Sequence, residues 1–195
     1  LIGSSIARAA KETGVCERIL LTDASAEVCQ RAGSLGLGDV VESVKDCVET
    51  ADLVLMCTPV GVMSDLARDM APHLKPGTIV SDVGSVKSAV YDTVHAYLPE
   101  TVHFIPGHPI AGTEKSGPEA GFSSLFQDRW CILTPPEAEE GGDALAQLTA
   151  FWEGLGSKVE IMPIDRHDRV LAITSHLPHL IAFNIVGTAH DLESV

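Results

Sequence analysis

Three short segments of the chain carry histidine and hydroxyl side chains where they could do chemistry. GHPIAGTE contains His108, DVGSVK contains Ser85, and TSHLPH contains His176 and His179. A histidine in a glycine- and proline-rich loop after a strand can meet a substrate, and its proton affinity suits a general base near neutral pH. His108 is therefore the leading candidate base, with a loop histidine bonded to nearby backbone as the alternative.

The other two segments leave more than one interpretation open. Ser85 lies between a predicted strand and a predicted helix, where its hydroxyl either caps the helix or contacts a ligand. His176 and His179 share one face of an apolar helix, and a buried polar group without a partner costs about 1–3 kcal/mol. No metal site is indicated, because the segment lacks a His-Glu-x-x-His motif and Pro178 intervenes. We expect these histidines to contact a polar substrate or to be hydrogen-bonded in the core.

The chain opens on LIGSSIARAAKETG, in which Gly3 is followed by a helical pattern. The last glycine of a dinucleotide-binding loop has this position, and an acidic residue about 20 positions later accepts hydrogen bonds from the ribose. Asp23, which ends the apolar segment RILLTD, lies at that distance. The alternative is an ordinary N-terminal helix followed by a turn aspartate. Because a carboxylate repels the 2′-phosphate of NADP and no arginine follows Asp23 closely, NAD is favoured over NADP.

Apolar periodicity and turn residues predict an α/β fold in which helices alternate with strands of a mostly parallel sheet. Strands are predicted at 18–22, 52–57, 78–82, 102–105, 130–134 and 158–161. Helices are predicted at 3–13, 25–35, 43–50, 60–74, 86–98 and 144–154, the second of them capped by Ser25. A long apolar helix at 164–190, with Asp165 as N-cap and a kink at Pro178, is expected to be buried between two domains or subunits.

Charge and cysteine content exclude several classes of protein. A net charge of −14 without a basic patch argues against nucleic-acid binding. Five cysteines, an odd number without a Cys-x-x-Cys motif, indicate neither a disulfide framework nor a zinc site and favour the reducing cytoplasm. No signal peptide or transmembrane span is predicted, so we expect no membrane partner.

The segments LIGSSIA, TD at 22–23, CTPV, DVGSVK, GHPIAGTEKSG and HDRVLAITSHLPHLIA, in this order, resemble the prephenate/arogenate dehydrogenase family. The resemblance covers nearly the whole chain. It implies a Rossmann-type NAD(P)-binding domain at 1–162, with helices on both faces of its sheet, and the start of an all-helical substrate and dimerisation domain at 163–195. The implied activity is oxidative decarboxylation of prephenate to 4-hydroxyphenylpyruvate, or of arogenate to tyrosine, by a cytoplasmic homodimer of tyrosine biosynthesis.

The same resemblance implies a role for each matching residue. His108 would be catalytic and accept the proton of the ring hydroxyl, while Ser85 would orient this region and contact the cofactor. The remaining cofactor-binding residues would be Ile2, Gly3, Asp23, Cys57, Thr58 and Pro59. The residues that line the substrate pocket would be Thr113, Glu114, Ser175, His176 and His179. The cofactor would be NAD, or else NADP, and no metal is required.

The sequence departs from the family pattern at both ends. The first strand and first two glycines of the nucleotide loop have no counterpart, nor does most of the C-terminal helical region with its substrate-binding arginine. We therefore expect a truncated chain that could itself be inactive, with an apolar slot lined by Leu20 and Leu53 between the strands at 18–22 and 52–57. The alternatives are another Rossmann enzyme, such as a β-hydroxyacid dehydrogenase or pyrroline-carboxylate reductase, and a non-catalytic nucleotide-binding fragment.

Overall fold

The computed structural model describes the backbone of residues 1–193 and the surroundings of side chains up to residue 190. Its helices are α1 (Ile2–Thr13), α2 (Ala26–Ser34), α3 (Val44–Val48), α4 (Met63–Met70), α5 (Ser88–His95), α6 (Asp143–Gly154), α7 (Ile164–Leu171) and α8 (Leu177–Glu193). Its strands are β1 (Leu20–Leu21), β2 (Asp39–Val40), β3 (Leu53–Met56), β4 (Ile79–Asp82), β5 (His103–Phe104), β6 (Gly107–Pro109), β7 (Trp130–Leu133) and β8 (Lys158–Ile161).

Within the described residues the strands form three small sheets, ordered β1–β2, β3–β4–β5 and β6–β7–β8. All pairings in them are parallel except β6–β7, which is antiparallel. Met56 pairs with Asp82, so the carboxyl ends of β3 and β4 lie at one edge of their sheet. The predicted α/β class with mostly parallel strands is confirmed.

Neighbouring residues of β4 belong to two different hydrophobic clusters. Ile79 packs in a cluster that contains side chains of α1 and α6, including Ile6 and Trp152. Val80 packs in a second cluster with side chains of α4 and α5, including Met63. Because successive side chains of a strand point to opposite faces, this sheet is covered by helices on both faces.

Local capping signals in the sequence give the predicted helix ends. The Ser25 side chain accepts a hydrogen bond from the Val28 backbone N–H at 3.3 Å and so caps α2 as predicted. Helix α1 ends at Gly14, which has φ 69°, a left-handed conformation that favours glycine. These ends are set by residues adjacent in sequence.

Pairing between distant residues differs from the sequence expectations. β2 (Asp39–Val40) is an exposed strand that was not predicted, and it pairs with β1. His108 was expected in a loop, but it lies on β6 because Gly107–Pro109 pairs with the distant strand β7. β1 and β3 lie in different sheets, and Leu20 and Leu53 are both partly buried. The slot between them stays a prediction.

The C-terminal helical stretch corrects the predicted N-cap and contains a π-helical turn that was not predicted. Pro163, not Asp165, is the N-cap of α7, and Asp165 lies in its first turn. The stretch changes to a π-helix at Ala172–His176 before α8 begins, within one turn of Pro178, and the kink at Pro178 stays a prediction. Proline lacks the N–H that an α-helical register would donate to residue 174, so a wide turn here is physically reasonable.

The same stretch is predicted to be buried between two domains or subunits; in this single chain it is largely exposed, so that burial stays a prediction. Only 6% of its most apolar 18-residue window, within Ile164–His190, is buried. By length and composition this helix is able to cross a membrane, so composition does not exclude a span there. The apolar residues of α8 therefore face outward from the chain.

Candidate active site

His108 lies where β6 runs next to the end of β4, and its ring meets a second histidine. Its Nδ1 is 2.8 Å from Nε2 of His167, which is fully buried on α7. The two rings meet edge to face, with centroids 5.1 Å apart. The partly buried His108 side chain is thus held at one ring nitrogen by the neighbouring helix.

His167 in turn contacts the residue that follows it. Its Nδ1 is 2.8 Å from Oδ1 of Asp168. The Asp168 carboxylate also accepts the backbone N–H of Lys87 at 2.8 Å and that of Ser88 at 2.9 Å. Asp168 therefore caps α5 from a helix 80 residues away, a role for which the sequence offered Ser85 as one candidate. Ser85 is exposed and lies before α5 begins.

A fully buried ion pair holds the backbone on which His108 is placed. The Asp82 and Lys87 side chains are both 0% exposed and form a salt bridge. Lys87 Nζ donates to the Gly107 carbonyl at 2.6 Å, and Asp82 Oδ1 accepts the Gly107 N–H at 3.2 Å. Asp82 Oδ2 accepts the N–H of Gly84 at 2.7 Å. Charges buried in this way are tolerated because each has a partner and further hydrogen bonds.

Glycine is required beside this pair because the backbone approaches the carboxylate closely. A Cβ on Gly84 would lie 2.9 Å from Asp82 Oδ2, and one on Gly107 would lie 3.0 Å from the Asp82 carbonyl oxygen. Both distances are shorter than an ordinary van der Waals contact. The glycines of DVGSVK and GHPIAGTE thus let the strand ends pack against each other.

The electrostatic surroundings keep His108 neutral over the physiological range. Burial and the neighbouring His167, Lys87 and His176 together lower its pKa to about 3, although Asp168 opposes them. Burial also lowers the pKa of His167, against the hydrogen bond to Asp168. A neutral imidazole has a free nitrogen lone pair, which a general base requires.

Asp168 is held in its ionised form. Partial burial alone would raise the pKa of Asp168, but hydrogen bonds from Ser88, the Lys87 backbone and His167 outweigh it. The pKa of this carboxyl group is therefore well below its usual range. A carboxylate at the N-terminus of α5 is also favoured by the helix dipole.

The residues predicted to bind a dinucleotide fit that group in three respects. A Cβ on Gly3 would lie 3.1 Å from Cys57 Cβ, so glycine lets α1 pack against the end of β3. Asp23 follows β1, is exposed, and uses Oδ1 to accept the Ser25 N–H at 2.9 Å. The Thr58 hydroxyl is buried and has no hydrogen-bond partner among the described residues. Ile2 is partly buried at the start of α1.

Pro59 is exposed and is the N-cap of the 3₁₀ turn Val60–Val62, next to Thr58. That turn precedes α4, so Cys57, Thr58 and Pro59 connect the end of β3 to the helical segment. Ligands of open α/β sheets bind at this edge. The Asp82–Gly84 turn lies at the end of the neighbouring strand β4.

The predicted substrate residues lie in three segments, namely the loop after β6, the π-helical turn and α8. Thr113 and Glu114 are exposed in the loop after β6. Ser175 and His176 are partly buried in the π-helical turn, and His179 is exposed on α8. The charge of His176 influences the pKa of both His108 and His167, which places His176 on the same side of the fold.

Sequence reasoning gave no role to His167, Asp168, Lys87 or Asp82. All four belong to the segments DVGSVK and HDRVLAITSHLPHLIA, on which the resemblance was based. The available signal was an aspartate at the end of a strand with a lysine five residues later, at the two ends of one such segment. Nothing local indicates that Asp168 contacts α5 or that His167 contacts His108.

Comparisons with known proteins match the whole length of this chain. A family model for the nucleotide-binding domain of prephenate dehydrogenase matches residues 6–161, and one for the dimerization domain of prephenate dehydrogenase matches residues 163–195. A cyclohexadienyl dehydrogenase of Zymomonas mobilis is 46% identical over 99% of this chain and 66% of its own length. A prephenate dehydrogenase of Bacillus subtilis is 34% identical over 100% of this chain and 53% of its own length.

A solved structure gives a similar result. The prephenate dehydrogenase of A. aeolicus in complex with hydroxyphenyl propionate and NAD+ superimposes with a TM-score of 0.86 and 33% identity. The match covers 96% of this chain and 65% of that protein. The chain thus spans about half to two thirds of the length of the relatives it matches.

Proposed function

This chain belongs to the prephenate dehydrogenase family, and we propose that its protein is an NAD-dependent dehydrogenase that oxidatively decarboxylates prephenate, arogenate or both. Residues 1–162 would form the nucleotide-binding domain and residues 163–195 the beginning of the helical domain. The observation that carries this proposal is the neutral His108, held at Nδ1 by His167 beside the sheet edge that presents Thr58.

In the proposed reaction His108 is the general base. NAD+, when bound, would supply the hydride acceptor. His108 takes the proton of the ring hydroxyl while hydride leaves the same ring carbon, which becomes a carbonyl. The bond from the ring to its carboxylate then breaks and CO₂ leaves. The electron pair of that bond moves through the ring to the carbonyl oxygen, which takes the proton back from the histidine, so the product is an aromatic phenol. Aromatisation supplies the driving force, so the protein must mainly hold the base and orient the ring.

The cofactor would lie along the edge formed by α1, β1 and the end of β3. Ile2 and Gly3 would meet the pyrophosphate, the free Oδ2 of Asp23 would accept from the ribose, and Thr58 would use its unpartnered hydroxyl. Cys57 and Pro59 would complete this edge, and Ser85 would lie between cofactor and substrate. The Asp23 carboxylate favours NAD over NADP.

The substrate would be contacted from three segments around His108. Thr113 and Glu114 would approach from the loop after β6, and Ser175, His176 and His179 from the π-helical turn and α8. A relative named cyclohexadienyl dehydrogenase supports a ring of this type as the substrate. The solved complex with hydroxyphenyl propionate supports an aromatic acid as the product.

We also infer that a second copy of the protein covers α8, as a homodimer in the cytoplasm. The match of residues 163–195 to a dimerization domain supports this inference, and so do the exposed apolar side chains there. These side chains are Ile173, Leu177, Leu180, Ile181, Phe183, Ile185 and Val186. A dimer interface also explains the apolar composition of this helix without a membrane.

Steady-state kinetics of the full-length protein with prephenate and NAD test the proposal. We expect His108→Asn to lower kcat by about 10²–10⁴-fold, the usual contribution of a general base, with NAD affinity unchanged. The matched control is His95→Asn, at an exposed position of α5, which should leave kcat unchanged. Wild-type turnover in His108→Asn would remove His108 from the mechanism. NAD binding without turnover in the wild type would favour the non-catalytic binding module.

A further inference from the structure

The chain of contacts from Asp168 through His167 to His108 has one arrangement of protons that satisfies every hydrogen bond. An ionised carboxylate only accepts, so His167 must donate its Nδ1–H to Asp168. Neutral His167 then has a lone pair on Nε2, which accepts from Nδ1–H of His108. The proton of neutral His108 is therefore on Nδ1, and Nε2 has the free lone pair.

On these contacts we propose that His167 and Asp168 are positioning residues of the proposed dehydrogenase, which fix the tautomer of His108 that leaves Nε2 as the base and then receive the proton's charge. The proposal rests on the proposed function, because it assigns these residues to the same reaction. It assigns a role to residues on α7 for which the sequence gave none.

The alternative tautomer of His108 is disfavoured by the same geometry. With its proton on Nε2, the lone pair of His108 Nδ1 would face the lone pair of His167 Nε2 at 2.8 Å. Turning His167 over would break its hydrogen bond with Asp168, and His167 is fully buried, so no solvent would replace that bond. Asp168 itself is fixed by the backbone N–H groups of Lys87 and Ser88.

The surroundings also determine where the positive charge lies between hydride transfer and the return of the proton to the product hydroxyl. His108 Nε2 takes the substrate proton, and its Nδ1 proton can move to His167 Nε2, which leaves neutral His108 and a His167 imidazolium. The groups that act on His108 are His167, Lys87, His176 and Asp168. Lys87 and His176 disfavour a cation on either ring, and Asp168 favours one on both. Only His167 makes a direct hydrogen bond to the Asp168 carboxylate, so a cation is better stabilised on His167.

Asp168→Asn tests the tautomer, because an asparagine amide can donate to His167 Nδ1 and reverse the hydrogen-bond chain. We expect kcat to fall at least 30-fold with KM for prephenate and NAD affinity changed less than threefold. The ¹⁵N NMR spectrum of histidine side chains should show His108 protonated at Nδ1 in the wild type, with that signal lost in the variant. The matched control is Asp165→Asn on the same helix, at an exposed aspartate paired with Arg169, which should change neither.

His167→Asn is the second test, to be used if Asp168→Asn does not fold, because it keeps Asp168 as the cap of α5. It should lower kcat similarly and move the acid limb of the kcat/KM profile to higher pH, because it removes a neighbour that lowers the pKa of His108. Wild-type His108 protonated at Nε2, or unchanged kcat in these variants, would overturn the proposal. If the wild type shows the Nδ1 tautomer but no turnover, the proposed function fails while the hydrogen-bond arrangement stands.

Discussion

The surroundings of His108 contain buried charged side chains, whereas the surface of α8 consists of exposed apolar side chains. Around His108, two charged side chains are fully buried, and the chain itself supplies every partner: Lys87 pairs with Asp82 and both bind Gly107. On α8, apolar side chains such as Phe183, which is 77% exposed, face away from the chain. The groups of the proposed proton chemistry are therefore held within this chain, whereas the proposed burial of α8 requires a surface from a second copy.

We expect the largest effect on stability from the loss of Lys87. Lys87→Met would leave the Asp82 carboxylate buried without its charge partner, which typically costs 3–5 kcal/mol, so the free energy of unfolding should fall by about that amount. Urea denaturation measures it. The control is Lys75→Met, which breaks the exposed Lys75–Asp52 pair and should cost less than about 1 kcal/mol. Similar losses in both variants would contradict a special role for the buried pair.

A substitution on α8 should change the dissociation constant of the proposed dimer rather than the stability of the folded chain. Phe183→Asp places a charge on the exposed face of α8, so the dimer of the full-length protein should weaken by about 2 kcal/mol or more, roughly 30-fold in Kd. Sedimentation velocity measures the dissociation constant. The control is Val62→Asp, at an exposed apolar position of the 3₁₀ turn before α4. A dimer that persists unchanged in Phe183→Asp would place the interface elsewhere.

A pH dependence of folding follows from the lowered pKa of His108. Its folded pKa of about 3 is below the unfolded value near 6.5, so the unfolded state binds more protons between these values. This histidine therefore contributes a loss of stability as pH falls through that window, with a slope of at most about 1.4 kcal/mol per pH unit. His108→Gln should reduce the slope of unfolding free energy against pH below 6.5.

The control for the pH experiment is His95→Gln at an exposed position of α5, which should keep the wild-type slope. Thermal or urea unfolding at a series of pH values between about 4 and 7 gives both slopes. Asp168 acts in a lower window, because its pKa is lowered and its stabilising effect is lost only as pH falls below its ordinary value. An unchanged slope in His108→Gln would mean that His108 is accessible to protons in the folded state.

What the sequence could predict follows the range of the interactions concerned. Ser25 caps its own helix, and β8 has its predicted bounds, because the signals lie within a few residues. β2 was missed since its two exposed residues show no apolar pattern. His108 could be predicted as a candidate base from its glycine-rich segment. His167 could not, because it contacts His108 only through the packing of α7 beside α5.

The predicted burial of the helix at 164–190 also depends on residues that are distant in sequence or belong to another chain. Its apolar composition predicts that the surface is covered, but composition cannot say whether the cover belongs to the same chain. For the charged residues around His108, the sequence shows neither their burial nor their partners. Asp82, Lys87 and Asp168 look like ordinary charged residues in the sequence, and only folding shows that each is held by a backbone group.

The smallest expected effect concerns the open, exposed edge where Asp23 lies. Asp23→Ser removes the carboxylate that would repel a 2′-phosphate, so the ratio of NADP to NAD affinity should rise about tenfold, equal to about 1.4 kcal/mol. Fluorescence titration of both cofactors measures that ratio, and stability should hold because Asp23 is exposed. Asp39→Ser, at an exposed aspartate on β2 paired with Arg18, is the control and should leave the ratio unchanged. An unchanged ratio in Asp23→Ser would place the ribose away from β1. That result would leave the hydrogen bonds around His108 unaffected, because Asp23 takes no part in them.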